Sequence, residues 1–261
     1  MPRYFLETSY RGTAYSGFQI QKNAVTIQSE IEKALSVFFK QPFSLTGASR
    51  TDTGVHALQN YFHFDTIEPL VNIRNSHQLE VLQVPVIGKE VGAAYNLNAI
   101  LPHDIVIKRI FEVNADAHCR FDAVSREYEY FLYNKKNPFL ADRAFFFPYS
   151  LDINKLNEAA SLLLDYKDFT SFSKRNTQVN NFICGIQEST WVQQQETLVY
   201  HIKANRFLRG MVKGLVGTML RVGTGKILVE EFDSIIKSKD CTKVDFSVPP
   251  HGLFLIKVNY A

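Results

Sequence analysis

The chain has 261 residues, 46% hydrophobic and 21% charged, with a formal net charge of +3. This is the composition of an ordinary soluble globular protein, long enough for one large or two small domains with a substantial core. Three cysteines far apart (Cys119, Cys184, Cys241), odd in number and without CxxC spacing, argue for a reducing compartment and against a disulfide framework or a zinc site.

The first residues lack the apolar core of a signal peptide, and no apolar run approaches membrane-spanning length. The pattern predicts a cytoplasmic protein with no membrane partner. Arg3 to Tyr10 reads as a first strand. Tyr10 to Gln19 follows as a Gly-punctuated loop with three aromatics and an Arg. That mix suits RNA, with Arg for phosphate and rings for stacking, and it equally suits a structured turn with its rings packed down. Val25 to Lys40 is predicted as a helix capped by Thr26, with Ile27, Ile31, Leu35 and Phe38/Phe39 as its core stripe and Glu30, Glu32 and Lys33 as its wet side.

Pro42 to Thr46 is β-prone, and so is Tyr61 to Phe64. Between them lies Gly47-Ala48-Ser49-Arg50-Thr51-Asp52-Thr53-Gly54-Val55-His56-Ala57. Gly54 allows a sharp turn and close approach of a ligand. Thr51 and Thr53 can bond local backbone. Asp52 is the one carboxylate, with Arg50 near enough to favour its ionised form. Such a pair on a rigid loop can supply a nucleophile or base, or simply a turn Asp making an Asx bond beside a solvated Arg. The order strand–helix–strand–strand is half of a ferredoxin-like unit. Ile67 to Val91 receives no role. A helix ends before Pro102, and Ile105 to Val113 is a strand with Val106, Lys108, Ile110 and Glu112 on one side.

Ser125 to Tyr133 alternates, placing Arg126, Tyr128, Tyr130 and Leu132 on one face, either lining a site or half-buried in the core. Asn137 to Tyr149, rich in Phe, is the place for a join between two halves, residues 1–140 and 141–261. Asp152 caps a helix with Leu156, Ala159/Ala160 and Leu163 inward, and Phe182–Val192 with Leu198–Lys203 reads as a hairpin. Thr197 to Val229 contains no acidic residue. Helical spacing puts Arg206, Arg209 and Lys213 on one face with Gly210, Gly214 and Gly217. Three glycines on one face mean that something packs very close there, either another element of the fold or an RNA backbone drawn by the basic stripe. A last helix (Val229 to Lys237) and a last strand (Gly252 to Asn259) close the chain.

Other chemistries fit poorly. Val222 to Ile227 lacks the spacing of a P-loop, the seven histidines show no HExxH pattern, and no partnered carboxylates for glycoside hydrolysis are evident.

The Asp52 loop resembles the catalytic loop of the TruA family of tRNA pseudouridine synthases, G-R-T-D-A-G-V-H-A, with Ser49 for the first Gly and Thr53 for the Ala. The resemblance extends through the chain. Y-x-G-T-x-Y-x-G-W-Q-x-Q is met from Tyr10, with Phe18 for the Trp. A-x-x-R-x-Y-x-Y is met by Ala123, Arg126, Tyr128 and Tyr130. D-F-T-S-F is met by Asp168 to Phe172. N-x-F-L-x-x-M-V-R-x-x-V-G is met from Asn205, with Lys213 for the Arg, and Pro249 to Leu255 looks like P-A-x-G-L-Y-L, with Pro250 for the Ala and Phe254 for the Tyr.

The resemblance implies a pseudouridine synthase fold of class α+β: two ferredoxin-like halves forming one mostly antiparallel sheet flanked by helices, around a central RNA-binding cleft. It implies isomerisation of uridine in the anticodon stem-loop of tRNA and a homodimer; that isomerisation has no net redox change and no group donor, so no cofactor is required, and the histidine and cysteine spacing predicts no metal site. It makes Asp52 the nucleophile, Tyr128 the ring that stacks on the target base, and Arg50 and Lys213 its catalytic companions. Arg126, Arg206 and Arg209 join Tyr128 in holding substrate. Arg50 either fills the space left by the flipped base or binds the flanking phosphate, and Asp52 either attacks the base or acts on the sugar. The rival is an RNA-binding module or tRNA chaperone on the same fold, without turnover.

Overall fold

Strand β1 (Arg3–Tyr10) spans the predicted residues and buries almost all of them. The computed structural model describes residues 1–70, 86–175 and 179–261, with the backbone alone at 86–90. Most of Ile67–Val91 therefore lies outside the described residues. The chain divides into two compact units, Met1–Val124 with Leu255–Ala261, and Ser125–Phe254.

In the first unit β1 is followed by α1 (Ile27–Phe39), β2 (Thr46–Gly47), β3 (His56–Asp65), β4 (Val86–Glu90), α2 (Ala94–Ile100) and β5 (Ile105–Val113). β1 pairs antiparallel with β3 on one side and β5 on the other, β2 pairs with β3, and β4 with β5. The order β5-β1-β3-β2, with a helix after β1 and another before β5, is the ferredoxin-like arrangement. β4 is an added strand on the β5 side.

Thr26 caps α1 as predicted. Its hydroxyl accepts from Ser29 N at 3.1 Å, and Ser29 Oγ accepts from Thr26 N at 3.0 Å. Ile27, Ile31, Ala34 and Leu35 are buried, while Phe38 and Phe39 are half-buried. Glu32 departs from its place on the wet side. Its carboxylate accepts from Leu45 N at 2.8 Å and Gln28 Nε2 at 2.9 Å. With the Leu45 N–H taken by a side chain, the strand expected over Pro42–Thr46 shrinks to the two residues of β2.

β5 keeps its predicted alternation only to Lys108. Val106 and Lys108 are exposed, yet Ile110 is buried. Glu7 faces Arg109 and Thr8 faces Ile107, so Lys108 is the extra residue of a β-bulge. The bulge brings Arg109 onto the buried Glu7, with Nη2 2.5 Å from Oε2, and the Tyr61 hydroxyl donates to the same oxygen.

The second unit contains β6 (Ala123–Tyr133) from Ser125 on, β7 (Phe145–Phe146), α3 (Ile153–Leu162), β8 (Ile186–Gln194), β9 (Thr197–Ala204), α4 (Met211–Gly223) and α5 (Val229–Ser238). β10 (Leu253–Tyr260) follows. β6, β9 and β8 pair in that order, antiparallel, and β7 lies parallel on β6. Asp152 caps α3, and Leu156, Ala159 and Ala160 are buried as predicted.

Asn157 of α3 clasps the outer side of β8. Its Nδ2 donates to Trp191 O at 3.0 Å and its Oδ1 accepts from Trp191 N at 2.8 Å. The close packing expected at the α4 glycines comes from another element of the fold. A Cβ on Gly217 would lie 2.2 Å from the carbonyl oxygen of Asp245, and one on Gly214 would lie 2.7 Å from the Phe246 ring.

Candidate active site

The Asp52 loop is held from below and bare on top. Asn60, fully buried on β3, donates to Ser49 O at 2.9 Å and to the Tyr10 hydroxyl at 3.1 Å. That hydroxyl lies 2.8 Å from Thr51 Oγ1. Ala48 N donates to Tyr61 O at 2.8 Å, and Phe18 N to Thr51 O at 3.1 Å. Val55 N closes a turn onto Asp52 O at 3.1 Å, with Gly54 at φ +78°. Only a glycine takes that backbone without strain.

The aromatic loop before α1 is the wall behind this turn. A Cβ on Gly12 would lie 2.0 Å from Val55 O. Phe18 stacks on Phe62 with centroids 4.5 Å apart. The Tyr15 hydroxyl donates to Asp104 at 2.5 Å. Tyr10, Tyr15 and Phe18 are all buried. Of the two readings of that loop, the packed one describes its rings.

Arg50, Asp52 and Thr53 are left exposed. Among the described residues no ion pair joins Arg50 to Asp52. The polar face of the loop is thus two charged side chains projecting from a backbone anchored on both sides. Sequence reasoning passed over Asn60, which follows Gln59 in a strand that also holds His56 and His63, so that its type alone does not single it out.

The second unit carries the other predicted residues. Tyr128 sits on β6 opposite Ile202 of β9, its ring edge-on to Phe207 at 5.0 Å. Arg126, buried two residues earlier, donates from Nη1 to Asn205 O at 2.9 Å. Arg206 and Arg209 are not on a helix with Lys213. Gly210 takes φ +73° and is the N-cap, so α4 begins at Met211 and the two arginines precede it in a turn. Lys213 is half-buried in the first turn of α4. Arg209 is exposed, its carbonyl bonded by Lys174 N at 3.1 Å. The helix start therefore carries Lys213, Arg206 and Arg209, with Lys174 packed against Gly210.

Among the described residues one group, His63, His118 and Cys119, has metal-ligand types close together. The Nδ1 atoms of both rings already accept hydrogen bonds within the fold. His63 Nδ1 accepts from Cys119 N at 3.3 Å, and His118 Nδ1 accepts from Arg120 N at 3.1 Å. The Cys119 thiol donates to Thr46 O at 3.1 Å. Backbone N–H groups can only donate, so these imidazole nitrogens serve as acceptors within the fold. Burial, with the nearby His118 and Arg3, pushes the His63 imidazole down to about 4.

A family model described as tRNA pseudouridine synthase matches residues 159–261. The whole chain is 43% identical to "tRNA pseudouridine synthase A" of Parabacteroides distasonis, covering 96% of that protein. It is 42% identical to the protein of the same name from Porphyromonas gingivalis, covering 98% of it. Over 98% of its length it is 34% identical to that of Staphylococcus aureus strain MRSA252, covering 90%.

Proposed function

The chain belongs to the tRNA pseudouridine synthase A family, isomerases of uridine in tRNA, and from that premise we propose that Asp52 is the carboxylate that carries the reaction. The observation supporting this is the exposed carboxylate on a turn anchored on both sides by buried hydrogen bonds.

Conversion of uridine to pseudouridine breaks the N1–C1′ bond, turns the uracil and joins C5 to C1′. The C5 hydrogen leaves as a proton and N1 ends protonated, so neither oxidant nor group donor is needed. A carboxylate can trap the detached fragment, by attack on the base or by action on the sugar. The uridine must first leave its stack, at a cost of a few kcal/mol. Tyr128 repays part of this by stacking, worth ~1–3 kcal/mol per base. Arg50 either takes the vacated place in the stem or binds the flanking phosphate. Lys213 supplies positive charge where the family has Arg, without the bidentate geometry of a guanidinium. Arg126, Arg206 and Arg209 complete the substrate-binding set, with Arg126 also fixing Asn205 O.

The substrate is taken to be the anticodon stem-loop and the working form a homodimer, both by likeness to the family, and the compartment the cytoplasm. The three cysteines, all as free thiols, fit a reducing compartment. The test is tritium release from tRNA carrying [5-³H]uridine, wild type beside Asp52→Ala and Asp52→Asn. Release by the wild type, lost in both variants while tRNA still binds, is the expected result. Folded wild type that releases no tritium from any tRNA would refute turnover and leave the RNA-binding module.

A further inference from the structure

Strand β3 buries three polar side chains, His56, Asn60 and His63, and Asn60 is bonded to the Asp52 loop. Position 60 faces the interior with no exposed surface, and it is an asparagine. A buried amide is costly unless its polar atoms are bonded, and here they are. Nδ2 donates to Ser49 O and to the Tyr10 hydroxyl, and Oδ1 accepts from Tyr61 N at 2.9 Å. Through Tyr10 the chain of bonds reaches Thr51 Oγ1. It therefore grips Ser49 and Thr51, the two residues on either side of Arg50, and the second of these directly precedes Asp52. Apolar packing would keep the loop near the sheet, yet it would not fix the direction of a carbonyl or a hydroxyl. Hydrogen bonds do.

We propose that Asn60 and Tyr10 are positioning residues for the reaction: together they hold the backbone around Arg50 and so set the direction in which the Asp52 carboxylate leaves the loop. The inference rests on the reading of Asp52 as the reacting group. A group that attacks or deprotonates must be placed within a fraction of an ångström, and that placement comes from supporting residues with locked side chains. Arg50 and Asp52 are exposed, so their own contacts do not provide it.

The experiment compares Tyr10→Phe, Thr51→Val, Thr51→Ser, Asn60→Asp and the double Tyr10→Phe/Thr51→Val with wild type and Asp52→Asn. Tritium release gives kcat and KM, filter binding gives the tRNA Kd, and thermal melting gives the folded fraction. Tyr10→Phe and Thr51→Val each remove one hydroxyl, so both are expected to fold. In each, kcat should fall about 10- to 100-fold while KM and Kd stay within about twofold. The double variant should be no slower than Tyr10→Phe, because that change already removes the contact that Thr51→Val cuts, along with the bond from Asn60. Thr51→Ser, which returns the hydroxyl, should restore kcat. Asn60→Asp, which sets an acceptor against Ser49 O, should lower kcat at least as far as Tyr10→Phe. Wild-type kcat in folded Tyr10→Phe and Thr51→Val, with Asp52→Asn inactive, overturns the positioning role alone. Turnover surviving in Asp52→Asn overturns the reading of Asp52 and this inference with it.

Discussion

Replacing Gly12 by alanine tests whether the wall behind the Asp52 turn sets the rate. Gly12 has an ordinary backbone conformation, so the added methyl is a problem of space and not of φ. It would lie 2.0 Å from Val55 O and 2.7 Å from Val55 C, where ordinary contact begins at 3.4 Å. Both atoms are backbone, so no side chain can swing aside, and the segment must retreat by about 1.4 Å. Val55 N is bonded to Asp52 O, so the displacement passes directly to Asp52. A misplacement of ~1 Å costs on the order of 10²-fold in rate, and overpacking of this kind costs about 1–3 kcal/mol of stability. Tritium release should show kcat down about 100-fold, with KM for tRNA little changed and the melting temperature lowered by a few degrees. Gly225→Ala is the control. That residue has φ +72° with no atom within 4 Å of an added Cβ, so alanine there costs about 1–2 kcal/mol and leaves kcat alone. A folded Gly12→Ala enzyme with wild-type kcat would refute the argument that the wall positions the carboxylate.

Asn157→Ala leaves the N–H and carbonyl of the buried Trp191 without partners and should cost about 1–3 kcal/mol in chemical denaturation; an unchanged midpoint would show that water replaces the amide. His63 gives a pH signature. Its imidazole is held down at about 4 in the folded protein against 6.5 unfolded, so the unfolded chain binds the extra proton between those values. Stability should be fully present above pH 6.5 and fall by up to about 3 kcal/mol as pH drops to 4. Urea melts should show that slope, and His63→Gln should flatten it. Arg206→Gln and Arg209→Gln, if each releases one phosphate contact, should each reduce the slope of log affinity against log salt by about 0.7–0.9, measured by filter binding at several salt concentrations.

Much of the frame was readable from residue patterns. β1 and β5 span their predicted residues because both carry long β-prone runs bounded by turns. Thr26 and Asp152 marked the starts of α1 and α3, since a capping side chain acts locally. The misreadings came from effects that are not local. The bulge at Lys108 answers to the partner strand and to the need to bring Arg109 onto Glu7, which spacing within β5 does not encode. Glu32 looked wet on a helical wheel because its partner, Leu45 N, lies 13 residues on. Arg206 and Arg209 were assigned to a helix because a glycine at position 210 reads as a weak helical residue, whereas its positive φ makes it the boundary. At the candidate site the exposed residues were legible as a motif. Their support by Asn60 and Tyr10 was not, because it crosses 50 residues of chain.

The clasp of Asn157 on β8 also bears on how these molecules behave at high concentration. In the second unit β8 is the outermost of the three paired strands, and an outer strand is a template on which an identical chain can add by main-chain hydrogen bonding. Such growth needs a run of outward donors and acceptors in register. In the middle of β8 one such pair is already occupied from within the same molecule, by an amide that presents a peptide's own donor and acceptor. An incoming strand would have to evict α3 from its seat to pass Trp191. Asn157 therefore acts as a built-in terminator of sheet extension, and its loss should appear as time-dependent light scattering before any loss of turnover.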